Sequence, residues 1–201
     1  VEEARVHDTP MEAYDEFLQR VQDIHRLSAL QGHLGWDQEV LMPTKGSSSR
    51  GEMMAWLAGK RHEQLTDGRM GELLTMLEND VLDEDQAANV REMRRTYDQA
   101  VKLPKSFVES FAQARSEALI AWQSAREASD FGAFKPALTH LIALTKEKIE
   151  LLGITSTPYD ALLDEYEVGM TVEDYDPLFA GLRERLVPLL HAITEAQARS
   201  E

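Results

Sequence analysis

The stretch TPMEAYDEFLQRVQDIHRLSALQGHL (residues 9–34) decides the fold class of this 201-residue chain. A threonine, a proline in the first turn and Glu12 form the start signal of an α-helix. Apolar side chains then recur at steps of three and four, namely Tyr14, Phe17, Leu18, Val21, Ile24, Leu27, Leu30 and Leu34. This spacing predicts one apolar stripe along a long helix. We expect Gly32 and Gly35 to loosen its end before Pro43.

Helical periodicity continues through the remainder of the chain. Ser49 and Glu52 form a second capping-box pattern, and Asp83 occupies the cap position of a later helix. Leu103-Pro104 ends one helix and begins the next. No alternating pattern of four or more residues predicts a strand. The sequence therefore predicts an all-α protein, an elongated array of about eight helices.

The sequence predicts one helical domain over residues 1–201, with a flexible segment at residues 1–9. Its last helical pattern carries a long apolar stripe made of Leu178, Phe179, Leu182, Leu186, Leu189, Leu190 and Ile193. No stop signal separates this stripe from Glu201. The pattern suggests a chain cut from a longer protein, and the alternative is a last helix that frays in solvent.

Composition and charge restrict the classes of partner. The chain holds 21 Lys and Arg against 36 Asp and Glu, a formal net charge of −15 at pH 7. Such an acidic surface repels phosphate groups, so nucleic acid and anionic membranes are excluded as main partners. Without cysteine there are no disulfides, thiolate nucleophiles or thiolate metal ligands. The chain has no apolar run of membrane-spanning length and no signal-peptide pattern at its start, so we expect a soluble, cytoplasmic protein.

The histidines do not have the spacing of a zinc site. They are His7, His25, His33, His62, His140 and His191, and none has a second histidine four residues later. His62 is followed by a glutamate, but Thr66 occupies the position of the second ligand. Two histidines have a carboxylate one turn away, in the pairs His33/Asp37 and His191/Glu195, a spacing more typical of hydrogen bonds or ion pairs. From spacing alone we assign no metal ligand and no catalytic residue.

Three tryptophans are candidates for the core or for a binding surface. Trp56 and Trp122 fall within helical patterns and are predicted to be core residues. Trp36 lies between Gly35 and Asp37, at a predicted junction of helix and loop. For Trp36, packing in the core and a position on the rim of a cleft both remain open.

The stretch IHRLSALQGHLGWDQEVLMPTKGSSSRGEMMAWLAGKRHEQLTD (residues 24–67) resembles the opening of the Taq-type thermostable metallocarboxypeptidases. The matching motif positions are Trp36, Asp37, Glu39, Met42, Pro43, Gly46, His62, Thr66 and Asp67. Further segments match in order, including YDALLDEYEVGMT (residues 159–171), where Val168 replaces the family's usual proline. The resemblance covers residues 12–195.

This resemblance implies an almost wholly helical enzyme that removes residues one at a time from the C-termini of peptides. The family uses zinc or cobalt, held by His-Glu-x-x-His and a downstream glutamate in its second half. This chain would then be the N-terminal region, forming one wall and rim of a deep substrate groove, with no metal ligand or catalytic residue of its own. The resemblance suggests Trp36, Asp37, Tyr159 and Asp160 as groove-rim positions, and a homodimer as the assembly.

The expected consequence is a chain that is inactive alone, because the group that activates the attacking water is missing. The alternative is a stand-alone helical module that binds peptide or protein along an apolar groove without catalysis. In a truncated chain the apolar stripe of the last helix would be exposed, which predicts self-association.

Overall fold

Helices form where the sequence repeats apolar residues every three or four positions. The computed structural model describes residues 10–153 and 157–199, and these contain eight α-helices and no strand. The helices are α1 (Pro10–Val40), α2 (Ser47–Leu65), α3 (Gly68–Leu77), α4 (Glu84–Ala100), α5 (Lys105–Glu127), α6 (Phe131–Leu152), α7 (Asp160–Leu163) and α8 (Val172–Ala198). The all-α prediction is confirmed, whereas the flexibility predicted for residues 1–9 lies outside the described residues.

The chain divides into two units, Val1–Lys148 and Ile149–Glu201, and helix α6 contains the boundary. The single domain expected over residues 1–201 stays a prediction. In the described parts of both units, no helix has the length and the apolar character needed to cross a bilayer.

The core of the first unit is centred on α3. Its side chains Met70, Leu73, Leu74 and Leu77 are almost completely buried, although the helix has only ten residues. They pack with Phe17 of α1 and with residues of α4. Each fully buried side chain of this size stabilises the fold by about 1.5–3 kcal/mol. This cluster therefore holds α1, α3 and α4 together.

A second packing layer joins α2 to α5. Gly59 of α2 lies so close to α5 that an added Cβ would stand 2.8 Å from Cγ and Cδ of Glu109. Small side chains face inward on α5, where Ala114 and Ala118 are buried. Because neither helix places bulk at these points, the two backbones approach closely.

Two polar contacts attach α1 to this layer. The Gln38 amide donates to the Ser116 carbonyl oxygen at 3.1 Å, and the Ser116 hydroxyl donates back to Gln38 Oε1 at 3.0 Å. Both residues are buried, and without these hydrogen bonds the removal of their polar groups from water would cost free energy. Near the end of α1, the Arg50 guanidinium donates to Asp37 and to the Leu34 carbonyl oxygen.

The helix boundaries agree with the sequence signals at some positions and differ at others. Asp83 and Gln86 form a full capping box, and Gly153 ends α6 with φ +90°. The capping box expected at Ser49 is wrong, because α2 already begins at Ser47 after the 3₁₀ turn Thr44–Gly46. The preceding turn sets the helical direction before Ser49 is reached.

Helix α1 also differs from its prediction, because it continues through Gly32 and Gly35 to Val40. A glycine costs a helix only about 1 kcal/mol relative to alanine. The contacts of Gln38 with Ser116 and of Asp37 with Arg50 offset that cost.

The core positions predicted for two tryptophans are wrong. Trp56 is 60% exposed and Trp122 is 40% exposed. Helical periodicity places each indole on a definite face, but only the neighbouring helices decide whether that face is covered. Trp122 instead borders a cleft described below.

In the second unit, Asp160 is the buried polar residue around which the turns are built. Its carboxylate accepts from the Thr157 amide at 3.0 Å and from the Val172 amide at 2.8 Å. Thr171 and Asp174 then form the capping box that begins α8. None of the described residues of α8 is buried, and its apolar stripe is exposed along the whole helix.

We predict that Leu73→Ala lowers the free energy of unfolding by about 2–5 kcal/mol, because it leaves a cavity at a fully buried site. Urea denaturation followed by circular dichroism measures the change. Val81→Ala is the control, because Val81 is 97% exposed and its truncation should change stability by no more than about 0.5 kcal/mol. Equal effects of the two substitutions would contradict the assignment of this core.

A second prediction concerns His62, which is buried on α2. Burial lowers the pKa of His62 from its ordinary value of 6.5, and a hydrogen bond to the Leu103 backbone offsets part of this effect. The unfolded chain therefore takes up a proton at higher pH than the folded chain. The stabilisation is fully present above pH 6.5 and is lost as the pH falls towards the lowered pKa.

Urea denaturation at a series of pH values between neutral and mildly acidic tests this prediction. We expect His62→Gln to flatten the pH dependence in this window, because glutamine does not titrate. His25→Gln, which removes an exposed histidine of the same unit, is the matched control. An identical slope in the wild-type and His62→Gln chains would show that another group causes it.

Candidate functional site

The first unit contains an open cleft of about 870 Å³, a volume typical of ligand sites. Helix α1 contributes Gly35 and the Gln38–Ser116 contact to its wall, and α2 contributes Ala58. The longest wall is α5, whose residues Phe107, Val108, Phe111, Ala112, Arg115, Ser116, Ala118, Leu119 and Trp122 border the cleft. Helix α6 contributes Phe134, Leu141 and Lys148 to the lining.

Helical spacing explains which side chains reach the cleft. On α2, Met54, Ala58 and Arg61 follow one another at steps of four and three. On α5, Phe111 and Arg115 are four residues apart. Residues at these spacings share one face of a helix, so the two arginines stand on otherwise apolar faces.

Arg61 is the half-buried cation of the cleft. Its Nε donates to Ser28 Oγ at 3.1 Å, and Ser28 Oγ donates to the Ile24 carbonyl oxygen at 3.0 Å. Desolvation by burial lowers the pKa of Arg61 from its ordinary value. Arginine remains charged throughout the physiological pH range, so a positive charge faces the cleft.

Aromatic side chains cover much of the remaining wall. The rings of Phe107 and Phe111 are stacked with centroids 5.7 Å apart. Lys148 Nζ lies 5.6 Å from the centroid of the Phe111 ring. Trp122 and Phe134 also border a second cavity of about 470 Å³ near the end of α5.

Two of the residues proposed for a groove rim lie near the end of α1. Trp36 is 53% exposed and its ring stacks on His33 with centroids 5.8 Å apart. Asp37 pairs with Arg50 of α2, so its carboxylate links two helices. The junction of helix and loop expected here is wrong, because both residues are helical.

The other two proposed rim residues, Tyr159 and Asp160, belong to the second unit. Tyr159 is 60% exposed, whereas Asp160 is buried and accepts backbone hydrogen bonds with both carboxylate oxygens. The pair Trp36 and Asp37 and the pair Tyr159 and Asp160 thus each combine an exposed aromatic residue with a carboxylate engaged in local structure.

Sequence reasoning missed Arg61 and Arg115 as site residues. The signal was present, since each arginine follows an apolar residue at a helical spacing, after Ala58 and Phe111 respectively. At such positions, however, an arginine can also lay its aliphatic chain along an apolar surface and keep its guanidinium in water. Whether these arginines border a cleft or face open solvent is decided only by the packing of α1, α2, α5 and α6.

The side chains of the described residues do not fit a zinc or cobalt site. Within residues 10–153 and 157–199, no three histidine, aspartate or glutamate side chains are placed to hold one ion. His33 stacks on Trp36, and the nearby carboxylate of Asp37 is paired with Arg50. Burial lowers the pKa of His62, and a hydrogen bond to the Leu103 backbone occupies part of its imidazole, so this histidine stands as a single buried group and not as part of a ligand set.

Curated relatives match nearly the whole chain. Thermostable carboxypeptidase 1 of Thermus thermophilus is 39% identical over 206 residues, which cover 96% of this chain and 40% of the relative. Carboxypeptidase 1 of Bacillus subtilis is 34% identical over 181 residues, which cover 89% of this chain and 36% of the relative. The chain therefore spans about two fifths of the length of the curated relatives it matches.

Solved structures are similar over the same extent. A crystal structure described as BsuCP superposes with a TM-score of 0.87 at 34% identity, covering 90% of this chain and 37% of that chain. Trypanosoma cruzi metallocarboxypeptidase 1 superposes with a TM-score of 0.76 at 36% identity, covering 95% and 39%. The family model of the carboxypeptidase Taq (M32) metallopeptidases matches residues 16–201. This chain belongs to the M32 metallopeptidase family.

Proposed function

We propose that this chain is the N-terminal region of a metal-dependent carboxypeptidase that releases C-terminal residues from peptides. The observation that carries the proposal is the family match over residues 16–201, combined with coverage of about two fifths of the relatives. In this proposal the chain supplies one wall of the substrate groove. The remaining part of the enzyme supplies the metal site and the hydrolytic residues.

The properties of the cleft support a role in peptide binding. It is open, it is mainly apolar, and the charged side chains of Arg61 and Arg115 border it. A mainly apolar concave surface with a few directed polar groups is the usual form of a ligand site. An extended peptide could lay its side chains along the α5 wall between Phe107 and Trp122.

The four rim residues would then have two different roles. We assign Trp36 and Tyr159 to substrate contact, because both aromatic rings are largely exposed. We assign Asp37 and Asp160 to positioning, since their carboxylates are engaged with Arg50 and with backbone amides.

The cofactor proposed for the complete enzyme is zinc or cobalt. This ion would polarise the scissile carbonyl and activate the attacking water. In this chain Arg61 and Arg115 would bind and orient the substrate, and neither can act as a metal ligand. A cytoplasmic location is part of the proposal and is supported by the lack of cysteine, which is compatible with a reducing compartment.

We predict that the 201-residue chain supplied with zinc or cobalt does not hydrolyse N-blocked dipeptides above the rate of a blank. The reason is that no described set of side chains can hold the ion. Thermostable carboxypeptidase 1 of Thermus thermophilus, assayed in parallel, serves as the positive control. Metal-dependent turnover by the chain itself would overturn its proposed inactivity.

The coding sequence beyond residue 201 provides a separate test of whether this chain is part of a carboxypeptidase. We expect a His-Glu-x-x-His sequence in the same reading frame after residue 201. A stop codon directly after that residue, together with peptide binding but no hydrolysis, would favour a stand-alone binding module instead.

We also predict that the chain self-associates through the apolar stripe of α8. Leu178, Phe179, Leu186, Leu189 and Leu190 are each more than half exposed in the second unit, an arrangement that favours association in water. Light scattering coupled to size-exclusion chromatography should give a mass above the 22.7 kDa of one chain. Leu186→Glu should shift the equilibrium towards the monomer.

Val81→Glu is the matched control, because Val81 is an exposed apolar residue of the first unit. It should leave the measured mass unchanged. A wild-type chain that stays monomeric at all concentrations would contradict the proposed homodimer or self-association.

A further inference from the structure

The cleft of the first unit has a charge opposite to that of the whole chain. Arg61, Arg115 and Lys148 border it, and Glu39 is the one acidic residue on its described wall. The complete chain carries a net charge of −15. A cationic cleft on an acidic protein focuses the attraction of anions at that place.

The two arginines of the cleft differ from other arginines of the first unit. Arg20, Arg69 and Arg94 each form an ion pair with a carboxylate. Among the described residues, Arg61 and Arg115 form no such pair. The hydrogen bond of Arg61 to Ser28 uses only Nε, so its two terminal nitrogens are free of described partners.

The two terminal nitrogens of Arg61 determine which kind of anion can bind in the cleft. Two parallel N–H groups of a guanidinium match the two oxygens of a carboxylate, and such charge-assisted bonds are about twice as strong as neutral ones. Ser28 accepts a hydrogen bond from Nε and so holds the Arg61 guanidinium in place, which reduces the entropy lost when an anion binds. A carboxylate is therefore a group that this end of the cleft can bind through two parallel hydrogen bonds.

The surface next to the cations is apolar and aromatic. Phe111 stands one helical turn before Arg115, and Trp122 stands two turns after it on the same wall. The stacked rings of Phe107 and Phe111 present a broad apolar surface. Apolar side chains on both sides of a ligand's carboxylate would therefore find complementary surface in this cleft.

We propose that the cleft between α1, α2, α5 and α6 binds an acidic side chain of a peptide, an aspartate or a glutamate flanked by apolar residues, with Arg61 and Arg115 as the carboxylate-binding residues. The inference deepens the proposed function, because it names the class of peptide that the groove wall selects. The recognised carboxylate belongs to a side chain within the peptide and is separate from the C-terminal carboxylate at which a carboxypeptidase acts.

Three blocked peptides test the proposal by isothermal titration calorimetry with the 201-residue chain. The first is acetyl-Ala-Phe-Glu-Leu-Ala-amide, and the second has glutamine in place of glutamate. The third is the glutamine peptide with a free C-terminal carboxylate. The amidated peptides cannot be carboxypeptidase substrates, so their binding is measured independently of hydrolysis.

We expect the glutamate peptide to bind about tenfold or more tightly than the glutamine peptide, as charge-assisted hydrogen bonds of this kind allow. Raising the salt concentration should reduce this difference, because the cleft is open to solvent. The free C-terminal carboxylate of the third peptide should not restore tight binding.

Arg115→Gln and Arg61→Gln should each weaken binding of the glutamate peptide about tenfold and leave the glutamine peptide unaffected. Arg115 is exposed, so its substitution keeps the test valid if Arg61→Gln disturbs folding, as checked by circular dichroism. Arg183→Gln is the matched control, because it removes an exposed cation of α8 in the other unit.

Equal binding of the glutamate and glutamine peptides would overturn the inference, and so would an Arg183→Gln effect as large as that of Arg115→Gln. Tight binding of the third peptide would also overturn it, by assigning the cleft to a terminal carboxylate. These failures would leave the proposed carboxypeptidase parentage intact, since that proposal is tested by metal-dependent turnover and by the reading frame.

Discussion

The close approach of α2 and α5 is the constraint on which the first unit and its cleft depend. Gly59 leaves no room for a side chain against Glu109, and the buried alanines Ala114 and Ala118 keep the facing helix thin. With the two backbones this near, Arg61 of α2 and Arg115 of α5 border the same cleft. A larger residue at position 59 would have to displace the Glu109 side chain that packs against it.

Polar contacts then fix α1 against this pair of helices. Gln38 exchanges two hydrogen bonds with Ser116, and Arg50 joins Asp37 to the backbone of the same helix. Gln38 and Ser116 both line the cleft, so this pair helps to hold the fold together and also shapes the candidate site. Asp160 has a comparable role in the second unit, where its carboxylate ties a turn to the start of α8.

Much of the fold could be read from the sequence, because helix formation is governed by local signals. The cap at Asp83 and the terminator Gly153 appear as predicted, and the stripe of α1 is buried at Tyr14, Phe17 and Ile24 but exposed at Leu30. Errors arose where a neighbouring segment dominates a local signal. The 3₁₀ turn before Ser47 displaced the cap expected at Ser49, and contacts of α1 kept it helical through Gly35. Likewise, Trp56 is 60% exposed although its neighbours Leu57 and Ala58 are buried, so the indole lies on a face of α2 that the described residues leave open.

By itself, the sequence determined the all-α class, the acidic charge and the membership of a peptidase family, because periodicity, composition and ordered motifs are properties of the linear chain. Only the tertiary structure decided what the polar residues do. Asp37 forms an ion pair and Asp160 accepts backbone hydrogen bonds, whereas Arg61 borders a cleft and has no carboxylate partner among the described residues. The physical reason is distance: Ser28 and Arg61, or Gln38 and Ser116, are far apart in the chain, and their contact exists only after the helices pack.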